Sequence, residues 1–169
     1  MELMVQYAML PNIIDHSIQV MRVSLAIVDN LKSGITISRD LVVAAALLHD
    51  ITKTRSLSSK ERHEKSGGEL LRDMGLTCIA EIVEQHVHLP DLDPLGKLEE
   101  REIVYYADKR VMHDRIVSIE ERYQDLMQRY GIAEDIRTFI FQNQGLALTV
   151  ENKINSFMVK DIHCAIQAC

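Results

Sequence analysis

The chain has 169 residues, 47% of them hydrophobic and 26% charged, an ordinary balance for a globular domain with a real core. The net charge of −6 argues against a nucleic-acid partner, whose binders carry a basic face. Three cysteines without CxxC spacing, no apolar run near the ~18 residues of a membrane span, and no basic-plus-apolar leader in residues 1–16 exclude a disulfide framework and give no membrane signal; the expectation is a cytoplasmic protein with reduced thiols.

Every predicted element is helical. Pro11-Asn12 can open a helix over 11–32, stopped by Ser33-Gly34. Ile14, Ile18, Met21, Leu25 and Val28 form one apolar row of it, and His16, Val20, Val23 and Ile27 a second, so His16 points inward. Ser38 can cap "RDLVVAAALLHD", whose nearly continuous apolar residues predict a central, surrounded helix. "TKTRSLSSKE" is expected as a polar connection, with Ser59 then capping "KERHEKSGGELLRDMG" up to Gly75. Gly67-Gly68 inside that helix cost roughly 1 kcal/mol each against Ala, which suggests close packing on another helix or a ligand.

Thr77 begins "CIAEIVEQHVH", and "LPDLDPLGK" follows as a loop. "LEEREIVYYADKRVMHDR" reads as one helix with Ile103, Tyr106, Ala107 and Val111 inward. "SIEERYQDLMQRYG" continues or follows it to Gly131, a solvated face with a packed stripe of Tyr123, Leu126 and Met127. "AEDIRTFIFQNQG" and "LTVENKINSFMVKDIHCAIQ" complete the bundle. No strand is expected. The eight methionines are read as core filler.

An apolar run that ends in His49-Asp50 sets a physical problem, because a buried charge needs a partner or a metal. His16, His63, His86 and Asp108 lie near other helix ends and could supply it, His and Asp being ligands for divalent ions. A carboxylate at the end of a helix is also disfavoured by the macrodipole, which again favours a nearby cation.

The order of "DHSIQV", "LLHDITK" and "YADKRV" resembles the HD superfamily of metal-dependent phosphohydrolases over roughly residues 10–115. The resemblance implies an all-α, single-domain HD-type bundle over 1–169, with helices 116–169 packed on the core. It implies His16, His49, Asp50 and Asp108 as metal ligands. "HEKSGGELL" is similar to the His-x-x-x-Gly helix of two-metal members, which adds His63 and His86 and makes Asp50 the bridging group. Because the second histidine signal reads "HVH", His88 is an alternative to His86. The cofactor implied is one or two divalent ions, Mn, Fe, Mg or Co.

The implied activity is hydrolysis of a phosphate ester or anhydride of a nucleotide or other small phosphorylated metabolite, with Asp50 and Lys53 catalytic. Lys53, Arg62, Lys109 and Arg110 are the expected phosphate contacts. The expected partner is that small substrate, with no nucleic acid and no membrane. Two other readings fit the same ligands, a binding or signalling domain without turnover and a di-iron oxygenase. His113 and His163 match no position of the pattern and are read as structural or surface residues.

Overall fold

The apolar run after Ser38 becomes the helix that the rest of the chain surrounds. The computed structural model describes residues 2–167, so Cys169 lies outside the described residues. Helix α1 (Glu2–Gln6) leads into α2 (Pro11–Val28), which Pro11 opens. Val20, Val23 and Ile27 on the His16 row are fully buried, while the Ile14 row is half-buried. Helix α2 stops before residue 32 because the following residues pair elsewhere. The Lys32 N–H bonds the Phe157 carbonyl at 2.9 Å, and the Val159 N–H bonds the Asn30 carbonyl at 2.9 Å.

Helix α3 (Arg39–Leu48) starts where the Ser38 side chain accepts the Leu41 N–H. It packs against α2 and, further along the chain, α6 (Thr77–Val83) and α7 (Glu100–Lys109). The expected connection after Asp50 is instead a short helix, α4 (Lys53–Ser59), closed by Lys60 at φ +62°. It buries no residue, so it carries no apolar periodicity to detect, and Ser56, Ser58 and Ser59 bond back to carbonyls of Lys53 and Arg55. Helix α5 (His63–Asp73) therefore starts at His63, not at Ser59.

Gly67 lets α5 approach its neighbours: a Cβ there would sit 3.3 Å from Thr52 Oγ1 and Val83 Cγ1. A Cβ on Gly68 would overlap the Glu84 side chain. The two glycines thus serve helix packing. Helix α6 ends before His86, and α7 is opened by a reciprocal capping box of Glu99 and Glu102.

The expected continuation of α7 through residue 115 is a small hairpin, β1 (Val111–Met112) paired antiparallel with β2 (Arg115–Ile116). His113 turns it at φ +60°. Helix α8 (Ile119–Tyr130) follows a Ser118–Glu121 capping box. Helix α9 (Glu134–Phe157) runs unbroken through Gly145, where a break was expected, and α10 (Ile162–Ile166) closes the described chain. Apart from the hairpin the fold is all-α, as expected.

The larger apolar cluster joins Val23 and Ile27 of α2, Ala45 and Ala46 of α3, Tyr105 and Tyr106 of α7 and Ile154 of α9. A smaller one joins Met4, Ile13, Leu48, Ile51, Leu71 and Val83. The His49-Asp50 end of α3 emerges between them. Among the described residues no helix is long and apolar enough to cross a membrane.

Gly145 has open space around it, so Gly145→Ala is expected to raise unfolding stability by roughly 0.5–1 kcal/mol. Gly67→Val should lower it by roughly 1–3 kcal/mol through overpacking against Val83 and Ile51. Urea unfolding of both variants measures the two effects.

Candidate metal centre

Three helix ends and one helix start bring the polar residues together. His16 sits in the second turn of α2, His49 and Asp50 follow α3, His63 opens α5, His86 lies just past α6, and Asp108 is in the last turn of α7. His49, Asp50, His86 and Asp108 are buried, and His16 and His63 are half-buried.

Backbone carbonyls set the tautomers of three imidazoles. Nδ1–H of His16 donates to the His113 carbonyl at 2.8 Å, that of His49 to Ala46 at 2.7 Å, and that of His86 to Val83 at 2.7 Å. Each Nε2 is thereby left to face the centre. His16 Nε2 lies 3.1 Å from Asp108 Oδ1, and His49 Nε2 lies 3.6 Å from Asp108 Oδ1 and 3.7 Å from Asp50 Oδ2. His63 Nε2 is 3.1 Å from Asp50 Oδ1 and 3.1 Å from His86 Nε2, and His86 Nε2 is 3.6 Å from Asp50 Oδ1.

The result is a set of lone pairs aimed at one another. His49 Nε2 and Asp50 Oδ1 are buried and have no hydrogen-bond partner among the described residues. Leaving such atoms unsatisfied costs roughly 1–3 kcal/mol each. A divalent ion answers both, and the donor set of imidazole nitrogen and carboxylate oxygen suits one. His16, His49 and Asp50 form one group whose ligand atoms lie within 4.8 Å of one another, and Asp50, His63 and His86 form a second. The groups share Asp50, and Asp108 borders the first through His16 and His49. The nitrogen held by each carbonyl fixes the ring that would ligate, the usual support for a metal-bound histidine.

Ionisation follows the same geometry. Burial pushes the His49 pKa down to about 4, so its Nε2 is a free lone pair at neutral pH. Burial also lowers His63, against the pull of Asp50. For His16 the same burial is outweighed by Asp108 and Asp50, and its pKa is raised. Burial alone would raise both carboxyls. Neighbouring cations and imidazoles reverse this and hold Asp50 and Asp108 well below the usual carboxylate range.

The remaining expected residues divide. Lys53 reaches the centre, its Nζ 3.8 Å from Asp50 Oδ1 and 3.2 Å from His63 Nε2. Lys109 is buried and donates to Asp108 Oδ2 at 2.7 Å and to the His86 carbonyl at 2.8 Å, which ties two centre residues together. Arg62 is exposed and pairs with Glu64 at 2.6 Å. Arg110 is buried away from the centre, bonded to the Val117 carbonyl, with Glu151 3.6 Å away. His88 is exposed and packs on Phe139 with ring centroids 6.1 Å apart, so within "HVH" only His86 faces the cluster.

A cavity of about 310 Å³ opens above the cluster. Its floor holds His16, Asp50, Lys53, His63 and His86, and its far wall is α8 and α9, including Tyr123, Leu126 and Phe139. The stripe read as packing does pack on the core, and its Tyr123 and Leu126 also line the cavity. The His113 carbonyl and the α8–α9 wall escaped sequence reading, since a backbone oxygen has no side-chain signature and an apolar wall looks like core.

Comparison with known proteins agrees with this geometry. The HD domain family model matches residues 13–112, more than half of the chain, and the chain belongs to that family, which is of the metal-dependent phosphohydrolase type. A tRNA (cytidine(56)-2'-O)-methyltransferase of Picrophilus torridus is 33% identical over 105 residues, covering 54% of this chain and 29% of that protein. The chain thus spans less than a third of that relative's length. No solved structure matches.

Two outcomes are expected. Saturating Mn²⁺, at about a hundred times its Kd, should add roughly 2.7 kcal/mol of stability, or roughly 5–10 °C in Tm, and Asp50→Ala should abolish that shift. Without added metal, stability should fall as pH drops from 6.5 to about 4. In that window unfolded His49 binds a proton and folded His49 does not, so protons favour unfolding. Urea midpoints against pH should be flatter for His49→Gln over the same window.

Proposed function

We propose that this member of the HD domain family is a phosphohydrolase that cleaves a phosphate ester or anhydride of a small phosphorylated metabolite, nucleotides included. The observation that supports this reading is the pair of imidazole–carboxylate groups sharing Asp50 at the floor of an open cavity, with a lysine beside them. The net charge of −6 favours a small substrate over a nucleic acid such as the tRNA in the relative's name.

His16, His49, Asp50, His63, His86 and Asp108 are the residues that would hold one or two divalent ions. Such ions, when bound, make a water nucleophilic at neutral pH and neutralise charge on phosphoryl oxygens. The chain's own residues prepare the rest. Asp50 and Asp108 stay ionised at neutral pH, and His49 stays neutral, so these three ligands need no deprotonation. The carbonyls of Ala46, Val83 and His113 keep three Nε2 atoms aimed inward. Lys109 fixes the Asp108 carboxylate and the backbone at His86.

Lys53 has a different task. Its side chain is 37% exposed, so its ammonium can leave Asp50 and follow a phosphate oxygen in the cavity. Arg62 stands outside the cavity lining, and Arg110 is committed to Val117 and the Glu151–Tyr106 group. Among the expected phosphate contacts, Lys53 is therefore the one the geometry favours.

The test is phosphate release from a panel of phosphomonoesters, diesters and nucleotides with Mn²⁺, Fe²⁺, Co²⁺ or Mg²⁺. Turnover should vanish with a chelator. Asp50→Asn should lower kcat by roughly a thousandfold, and Lys53→Ala should lower kcat/KM by roughly ten- to a hundredfold. A silent panel at full metal occupancy would refute the reading, and dioxygen consumption by the iron-loaded protein would replace it with oxygenase chemistry.

A further inference from the structure

The cavity above the cluster has two unlike halves. Its floor is imidazole, carboxylate and lysine. Its opposite wall comes from residues beyond the family match, on α8 and α9. At the junction of the two stands Arg122.

Arg122 is unusual for a helix arginine. Its Nε is buried and finds no hydrogen-bond partner among the described residues. The nearest carboxylate, Asp125 on the same helix, lies 3.6 Å from Nη1, beyond good hydrogen-bond range. The side chain is otherwise 17% exposed, but a buried donor such as this Nε–H is costly unless something supplies an acceptor. Arg122 lines both this cavity and a second pocket, and His16, Asp50 and Lys53 line both as well. The two clefts thus meet at the cluster, with Arg122 and Lys53 as cations common to both. Lys109 is already engaged with Asp108.

The wall itself is apolar and open. Ile136, Phe139 and Tyr130 remain 40%, 46% and 54% exposed although each lines the cavity. Large apolar side chains left open beside a polar centre mark a ligand surface. The wall is also held in place. The Tyr123 hydroxyl donates to the Asn143 carbonyl at 3.0 Å, and Asn143 Nδ2 donates to the Phe139 carbonyl at 3.2 Å. Its size is at the lower end for small-molecule sites, about 310 Å³, enough for one ring-bearing group and too small for a polymer.

We propose that Arg122 receives the phosphate of the substrate from the side opposite Lys53, and that the Tyr123–Phe139 wall takes a flat apolar group attached to it. The substrate class is then a phosphomonoester that carries one aromatic or heterocyclic ring. This deepens the phosphohydrolase reading and rests on it. Arg122 binds through a planar fork of donors suited to phosphate oxygens, and the ring contributes by stacking, which tolerates any flat face.

Phosphonates test this without turnover, because their C–P bond is not hydrolysed. Calorimetric titration of the Mn²⁺-loaded protein with phenylphosphonate and methylphosphonate should show the phenyl compound bound roughly tenfold more tightly. Phe139→Ala should shrink that gap by about threefold or more and leave methylphosphonate unchanged. Arg122→Ala should weaken both by roughly tenfold, with Arg122→Lys between it and wild type. If Arg122→Ala does not fold, as circular dichroism would show, Arg122→Lys and Phe139→Ala carry the test.

Equal affinity for the two phosphonates, or an Arg122 variant that binds as wild type does, overturns the proposal. Phosphate release from AMP against phenyl phosphate then separates a nucleobase from a simple aryl ring. The two readings fail separately. The expected phosphonate pattern with no hydrolysable compound removes the phosphohydrolase reading alone. Hydrolysis that ignores both the ring and Arg122 removes this proposal alone.

Discussion

Two buried carboxylates held ionised among four imidazoles are the constraint around which the rest of the chain is arranged. Asp50 and Asp108 cannot sit at the edge of an apolar core without compensation, and no single neighbour supplies it. Lys109 bonds one oxygen of Asp108, His16 bonds the other, Lys53 and His63 lie near Asp50, and His49 stays 3.6 Å and 3.7 Å from the two carboxylates without bonding either. The orphaned His49 Nε2 and Asp50 Oδ1 record what remains. This is an arrangement that makes sense as a cation receptacle and is costly as anything else.

The fold bears that cost by surrounding the site with two apolar clusters. Helix α3 is packed on several sides, so its end cannot retreat to solvent, and His49 has no exposed surface. Its imidazole must be neutral, and the Ala46 carbonyl must take its one proton. The same device recurs at His16 and His86 with carbonyls from the hairpin and from the end of α6. The hairpin between α7 and α8 thus has a purpose that its short length conceals: the His113 carbonyl is delivered to α2 from a distance of 97 residues along the chain.

The cluster and the wall that faces it come from different parts of the chain. Every residue of the cluster falls within residues 13–112, the segment shared with the HD family. The wall opposite belongs to α8 and α9, outside that segment. On the proposed reading, the cluster carries the reaction type and the wall chooses the ring or group attached to the phosphate.

Much of the cluster was legible before any coordinates. His16 lay on an inward row of α2, the apolar run ending in His49-Asp50 asked for a partner, and three short stretches in fixed order identified the rest by resemblance. Capping chemistry located the start of α3 through Ser38. Those signals are local, and local patterns survive in one dimension. Four features did not. Helix α4 has no buried face, so periodicity is silent on it. Gly145 looked like a stop but sits in a helix whose remaining contacts outweigh one glycine. Arg110 and Arg62 looked like phosphate ligands, yet Arg110 turns toward Val117 and Glu151 and Arg62 toward Glu64. Arg122 looked like one charge on a solvated helix and lines the cavity. The sequence by itself determined which residue types could ligate and which helices would bury them. Only the tertiary structure decided which cations face the cavity and which are neutralised elsewhere, because an arginine's direction depends on the acceptors that other segments bring to it.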